Sequence, residues 1–467
     1  MSAPTSVEDL CAWTGGDLLR GRSDAAFHGT AIDSRAVRPG DLFVAIVGPN
    51  HDAHQFVGAV LTAGAAGAVV QSDRVEETLP RGESFLVHVD DTTRALAQLA
   101  HGHRRAFDGP LIGITGSNGK TTTKELCAGI LDRRGPTLAT QGNLNNEFGV
   151  PLTLLRRQEC DQVAVVEMGM NHRGEIAALA EIAAPTIGIL TNVGTAHIEF
   201  LGSRENIATE KGDLLAALPA TGTAVVGRDD TLAFAQSRRS AAQVLSFGRD
   251  PKADLYAHEV RFLAEGIWCF RLESPLGTAE IRVPGLSETI VENALAAAGG
   301  ALAAGASLDE IASGLALHPG IPGRMQPRPL PGDVLVVDDS YNANPQSMRN
   351  ALETLARLPA KGRRYAVLGR MGELGAAEDE AHRDIGRLAA EFSLDGLFLL
   401  GESAAVVAEA ARATGLEEDR IVLGSNHESL AEALLERLDE GDLVIVKGSR
   451  AARMERVIEL LEEASPT

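Results

Sequence analysis

"GITGSNGKTTTKE", Gly113 to Glu125, continues the apolar run that starts at Leu111 and leads into a stretch of helix formers. "LIGIT" reads as a buried strand, Gly116-Ser117-Asn118-Gly119 as a tight turn, and Lys120 onward as a helix ended by Arg133-Arg134-Gly135-Pro136. Glycines allow backbone N–H groups to point inward with no Cβ in the way. A helix N-terminus adds partial positive charge, so the turn reads as a phosphate cradle. Lys120 is placed to reach the β- and γ-phosphates, and Thr121 to hold Mg²⁺. Ile114 occupies the first glycine position of the usual G-x-x-x-x-G-K-[ST], which leaves the shorter T-G-x-x-G-K-T-T. The loop alone does not separate a nucleotide switch from an enzyme that uses a nucleotide to make a bond.

Working outward, "VAVVEM" and "TIGILTN" are further continuous apolar runs separated by helical patterns, as in a parallel sheet buried on both faces. Before them, "GDLFVAIVG" reads as a strand and "HDAHQFVGAVLTAGAAGAVV" as a helix running into another. After the proline- and glycine-dense "HPGIPGRMQPRPLPGD", the runs "VLVVDD", "YAVLG", "GLFLLG" and "LVIVKG" alternate with helices. The expected fold class is α/β with three domains: an N-terminal α/β substrate domain (1–107), a central P-loop parallel-sheet ATPase domain (108–326) and a C-terminal Rossmann-like α/β domain (327–467). The 467-residue length agrees, at roughly 150 residues per domain.

A net charge of -21 argues against nucleic acid as a partner, because phosphate backbones demand a basic surface. No apolar run reaches the roughly 18 residues of a membrane span. Cys11, Cys127, Cys160 and Cys269 are far apart, without metal-ligand spacing, and read as thiols of a reducing compartment. The N-terminus lacks the basic and apolar pattern of a signal peptide, and Thr5 with Glu8 fits a capping box. A cytoplasmic protein acting as a monomer is expected.

Glu167 ends "VAVVE", at the strand end where ligands gather in open parallel sheets. A carboxylate closing an apolar strand calls for a cation partner, here a metal. His197 lies in the loop beyond "TNVG", on the same sheet edge as Gly116 and Glu167, while His101, His103 and His258 read as structural or exposed. Ser203 reads as the N-cap of a helix carrying Lys211, which on composition alone is a solvated helix lysine.

Taken together, the phosphate loop with "TTTKE", then "GNLNNEFGVPLTLL", "EMGMNHRGEI", "TNVGTAHIEFLGSRENIATEK", "GRMQ", "DDSYNANPQSM" and "VKGSRAARMERVI" resemble the Mur ligase family over essentially the whole chain. That family comprises the ATP-dependent amide-bond formers of peptidoglycan synthesis. "NNEFGVP" and "DDSYNANP" are the most specific parts, and "DSRAVRPGDLFVAIVG", with Ser34 and Arg35, resembles the family's nucleotide-sugar-binding segment.

The resemblance implies that the three domains bind in turn a UDP-sugar, ATP and the incoming amino acid or dipeptide. The version met here implies UDP-N-acetylmuramoyl-tripeptide and D-alanyl-D-alanine as substrates. Gly116, Ser117, Asn118, Gly119, Lys120, Thr121 and Thr122 would hold ATP, with Asn293 at the adenine, Arg324 at the phosphates, Asp339 at the ribose and Asn344 at the closing interface. Thr121, Glu167, His197 and Lys211 would surround Mg²⁺, Lys211 as a carbamate; Lys120, His197 and Lys211 are the implied catalytic set. Asn143, Asn145 and Asn146 match the loop facing the muramoyl-peptide. The implied chemistry is an acyl phosphate followed by amine attack, with the segment from Pro322 to Pro331 as candidate hinge.

The chain departs from the family twice. Ser287-Glu288-Thr289-Ile290 stands where G-x-H-N is common, and Arg370 in "LGRMGELG" stands where relatives often carry an acid. Two other readings share the loop. A nucleotide switch would need no second substrate domain, and a folylpolyglutamate-type ligase lacks the asparagine loop and the long N-terminal domain.

Overall fold

Glu167 pairs with Ile114 and Leu190 with Thr115, so three parallel strands end level with one another. That register is the core of a computed structural model describing residues 4–74, 83–263 and 266–464. The strands Leu111–Thr115, Val163–Glu167 and Ile187–Leu190 are buried at every position, as their unbroken apolar pattern requires.

Among the described residues these strands belong to a nine-stranded sheet. Thr137–Ala139 forms one edge; Thr223–Gly227, Gln243–Gly248 and Leu255–Leu263 continue the sheet on the other side in parallel. Ile267–Ser274 and Gly277–Pro284 then complete an antiparallel meander. The central sheet is therefore mixed rather than wholly parallel, and the meander alternates buried and exposed side chains because its outer face is left to solvent.

A five-stranded sheet precedes it, in the order Asp17–Arg20, Phe85–Val89, Gly67–Gln71, Leu42–Val44 and Thr30–Ala31, with the first strand antiparallel. A six-stranded sheet follows it: Gln326–Leu330, Val334–Asp339, Leu443–Lys447, Arg364–Leu368, Gly396–Leu400 and Ile421–Gly424. All neighbours in this sheet are parallel except the first pair. Here too the register aligns functional ends, since Asp339, Lys447 and Leu368 stand side by side.

Two local expectations change. The first helix, Val7–Thr14, is capped by Ser6 accepting from Asp9 N, not by Thr5 with Glu8; Thr5 instead pairs with Phe27 in a short strand. Half of the proline-rich stretch expected to act as a hinge is the edge strand Gln326–Leu330, where missing N–H groups face outward at no cost to the ladder. The connection before it, 317–325, holds only an isolated bridge between Ile321 and Arg324.

Helix Thr92–Arg105 ties the first sheet to the second. Buried Arg104 donates to the carbonyls of Ala183 (3.0 Å) and Ala184 (3.3 Å) at the end of helix Glu175–Ala183. His103, 4% exposed, sits beside it, and burial with Arg157 nearby pulls its imidazole down to about 4. The unfolded chain binds that proton from about pH 6.5 downward while the folded chain does not, so stability falls as pH drops from 6.5 to 4. Urea unfolding followed across that window is expected to show His103→Leu removing about 3 kcal/mol of the pH dependence; parallel curves for variant and wild type would contradict it.

Candidate active site

Two sheet edges, one from the central unit and one from the C-terminal unit, face each other across a cavity of about 1660 Å³. On the central side the turn after Leu111–Thr115 needs its glycines. Gly116 has φ +153, and a Cβ there would stand 1.8 Å from Thr191 Oγ1. Gly119 has φ +80, and its Cβ would meet Asn293 Oδ1 at 2.1 Å, so the Asn293 side chain lies against the loop. Ser117 N donates to Asn192 O (3.0 Å) and Asn118 N to Asn192 Oδ1 (2.9 Å), which fixes the turn to the end of the neighbouring strand. Helix Lys120–Leu131 begins immediately after Gly119, with Thr121 and Thr122 at the cavity wall.

Lys120 Nζ folds back onto Gly116 O at 2.9 Å. Burial lowers its ammonium pKa; Glu167 opposes that shift, Arg324 adds to it and Glu373 opposes it. Lys211, by contrast with its reading as a solvated lysine, has no exposed surface, and its Nζ has no hydrogen-bond partner. Burial, then the Lys120 charge, pushes it well below the usual lysine range despite Glu210. It sits on helix Arg204–Ala216, capped by Ser203 as its sequence suggests, and the adjacent Glu210 binds the backbone N–H of Gly174 (2.8 Å) and Ile176 (2.9 Å).

Glu167 is 2% exposed; Oε1 accepts from Asn145 Nδ2 at 2.8 Å, and Oε2 has no partner. Asn145 is thereby tied to the carboxylate that ends the strand Val163–Glu167, although it does not line the cavity. Asn146 spends its carbonyl on Gly149 N (2.9 Å), starting helix Gly149–Leu155, and Asn143 is exposed. Ser34 and Arg35 lie in the N-terminal unit outside the cavity, where Arg35 pairs with Asp33 at 2.7 Å.

From the C-terminal side, Asp339 pairs with buried Lys447, which also donates to Asn342 O (2.9 Å). Burial raises the Asp339 carboxyl while Lys447 and Arg324 pull it back. Arg324 donates to Thr121 Oγ1 (3.0 Å) and lies 4.4 Å over the Tyr341 ring. Asn344 caps helix Pro345–Arg357 and donates to Asn118 Oδ1 (2.8 Å), and Asn118 donates to Gln346 Oε1 (3.2 Å). Thr289 and Ile290, where the sequence departs from the expected G-x-H-N run, line the same cavity. Arg370 is held by Glu378 through two contacts of 2.8 and 3.1 Å.

Sequence reading did not single out Lys447, Gln346, Tyr341 or Glu373. Glu373 Oε2 stands 2.6 Å from His197 Nδ1 and its carboxyl is lowered by that histidine. Among the described residues no three His, Cys, Asp or Glu side chains gather to hold a metal. The oxygen and nitrogen groups able to meet a cation are the unpartnered Glu167 oxygen, the Thr121 hydroxyl and His197; Thr121 and His197 line the cavity, whereas Glu167 and Lys211 stand outside its lining.

Comparison with known proteins places this geometry. The Mur ligase family catalytic domain matches residues 26–104, the Mur ligase middle domain 114–301, and the Mur ligase glutamate ligase domain 323–450. The UDP-N-acetylmuramoyl-tripeptide–D-alanyl-D-alanine ligase of Escherichia coli K12 is 36% identical over 96% of this chain and 97% of its own length. A crystal structure of MurF from Acinetobacter baumannii superposes with a TM-score of 0.90 at 33% identity, covering 99% of both chains. MurF ligase from Thermotoga maritima, solved in complex with ADP, gives a TM-score of 0.81 at 31% identity over 93% of this chain and 97% of its own. With all three of its units matched, and a relative this similar along nearly its whole length, the chain belongs to the Mur ligase family.

Proposed function

We propose that the chain joins D-alanyl-D-alanine to UDP-N-acetylmuramoyl-tripeptide at the cost of ATP, the step that completes the peptidoglycan pentapeptide precursor. The observation that carries this reading is the meeting of a phosphate loop and the Asp339–Asn344 edge around one cavity large enough for a nucleotide and a peptide end. The similarity to the Escherichia coli and Acinetobacter baumannii ligases over nearly full length supports it. ATP and a UDP-linked peptide are cytoplasmic substrates, and one chain supplies both edges, so a cytoplasmic monomer is the consistent form.

A carboxylate does not react with an amine at neutral pH because its oxygen leaves poorly. One oxygen of the tripeptide's terminal carboxylate attacks the γ-phosphorus and ADP departs, giving an acyl phosphate. The dipeptide amine then attacks the acyl carbon, loses a proton, and inorganic phosphate leaves. The protein's part is alignment and charge neutralisation.

Lys120 leaves the Gly116 carbonyl to meet the β- and γ-phosphates, backed by the loop N–H groups. Arg324, already at Thr121, adds a second cation, Asn293 and Asp339 hold the two ends of the nucleoside, and Asn344 closes the loop from above. Ser34 and Arg35 are assigned to the UDP portion, with Asn143, Asn145 and Asn146 along the muramoyl-peptide. Mg²⁺, when bound, supplies the remaining neutralisation of the phosphates. Thr121, Glu167 and His197 would hold it, together with Lys211 if its amine has taken up carbon dioxide as a carbamate. The amine is buried and unpartnered, and its burial beside Lys120 lowers its pKa well below the usual lysine range, which fits such a modification.

Lys120→Ala is expected to abolish dipeptide-dependent ADP release while binding the UDP-tripeptide as wild type does; calorimetry beside a coupled ADP assay reads both, and unchanged turnover overturns the assignment. Lys211→Met is expected to lose ligation yet stabilise the ligand-free fold by about 1–4 kcal/mol, because a buried amine without a partner is replaced by an apolar chain of similar volume. A variant both inactive and less stable in thermal unfolding would contradict that account of the site.

A further inference from the structure

His197 and Glu373 come from different units, yet both are non-glycine residues in the left-handed region, with φ +64 and +60. Such conformations persist where the surroundings over-determine them, and they cluster at functional sites. Here the two residues meet: His197 Nδ1 lies 2.6 Å from Glu373 Oε2, an ion-pair contact whose angle falls short of an in-line hydrogen bond, and Nδ1 has no other partner among the described residues. The contact is doubled by the backbone, since Glu199 N donates to Glu373 O at 3.3 Å.

The loop that carries Glu373, residues 369–375, is fastened from within its own unit. His382 is 2% exposed; its Nε2 accepts from Met371 N at 3.1 Å and its Nδ1–H donates to Glu378 O at 2.8 Å. The Glu378 carboxylate in turn grips Arg370 two positions before Gly372. A loop pinned at Arg370 and Met371 has little freedom, so the reach of Glu373 toward His197 is built in. The side chain is 44% exposed, and an exposed ion pair contributes little to stability. Its geometry suits a different task.

We infer that Glu373 is a positioning residue that orients the His197 ring, holding the hydrogen on Nδ1 and leaving the Nε2 lone pair free for a cation at the reaction edge. A ring nitrogen that binds metal is characteristically set by the bond its other nitrogen makes to a carboxylate. Because the carboxylate arrives on the C-terminal unit, His197 is set correctly only when that unit is docked. Readiness of the reaction edge is thereby coupled to the presence of the domain that brings the second substrate. This inference rests on the functional reading given above.

The test uses full-length protein labelled with ¹⁵N-histidine, ligand-free, with the His197 signals assigned by their loss in His197→Gln. Wild type is expected to show His197 predominantly as the Nδ1–H tautomer, and Glu373→Ala to shift it toward Nε2–H. Glu373→Gln, whose amide oxygen still accepts from Nδ1–H, is expected to keep the wild-type tautomer. In ligation assays Glu373→Ala is expected to lower kcat about tenfold or more with little change in KM for ATP, and Glu373→Gln to restore most of it. An unchanged tautomer in Glu373→Ala, unchanged kcat in that variant, or a Gln variant as impaired as Ala overturns the inference. Wild-type protein that holds the Nδ1–H tautomer, lost in Glu373→Ala, but never ligates refutes the functional reading instead.

Discussion

An amine with no exposed surface and no hydrogen-bond partner is the constraint around which the reaction edge is arranged. Lys211 is in that condition, and Glu167, at the end of its buried strand, has one carboxylate oxygen equally unsatisfied. Burying either as an isolated charge costs far more than a fold gains from an ordinary contact. Glu167 closes a strand buried at every position, and Lys211 lies on the buried side of the helix Arg204–Ala216.

The second requirement is that two reactants carried by separate units meet. The loop at Asn118 already receives Asn344 and Gln346 from the C-terminal unit, and Thr121 receives Arg324 from the connection before it. These contacts are polar and partly exposed, the kind that exchanges readily for phosphate oxygens. They hold the two sheet edges in register while leaving the cavity between them open to a nucleotide. Closure over a bound acyl phosphate would exclude water that otherwise hydrolyses it.

Much of this was readable in the residues. The buried strands announced themselves as continuous apolar runs, the phosphate loop by glycines whose places no Cβ can take, and Ser203 as a cap ahead of its helix. Other features were hidden for physical reasons. The helix bearing Lys211 mixes charged and apolar residues on every side, so nothing local signals that this lysine is the buried one. The meander 255–284 alternates in a way that reads as surface until its sheet is known. Capping at Ser6 rather than Thr5 turns on one residue of register, set by pairing with Ala26 and Phe27. Glu373 acquires its meaning from a histidine in another unit, and no spacing along the chain encodes that contact.

The central claim is that this edge activates a peptide carboxylate by phosphorylation. It is tested most directly by preparing the UDP-tripeptide with ¹⁸O in both oxygens of its terminal carboxylate and analysing the inorganic phosphate released on ligation by mass spectrometry. The account predicts one ¹⁸O atom in each phosphate formed, because the acyl oxygen leaves with phosphorus. Phosphate free of the label, with ligation proceeding, would contradict it.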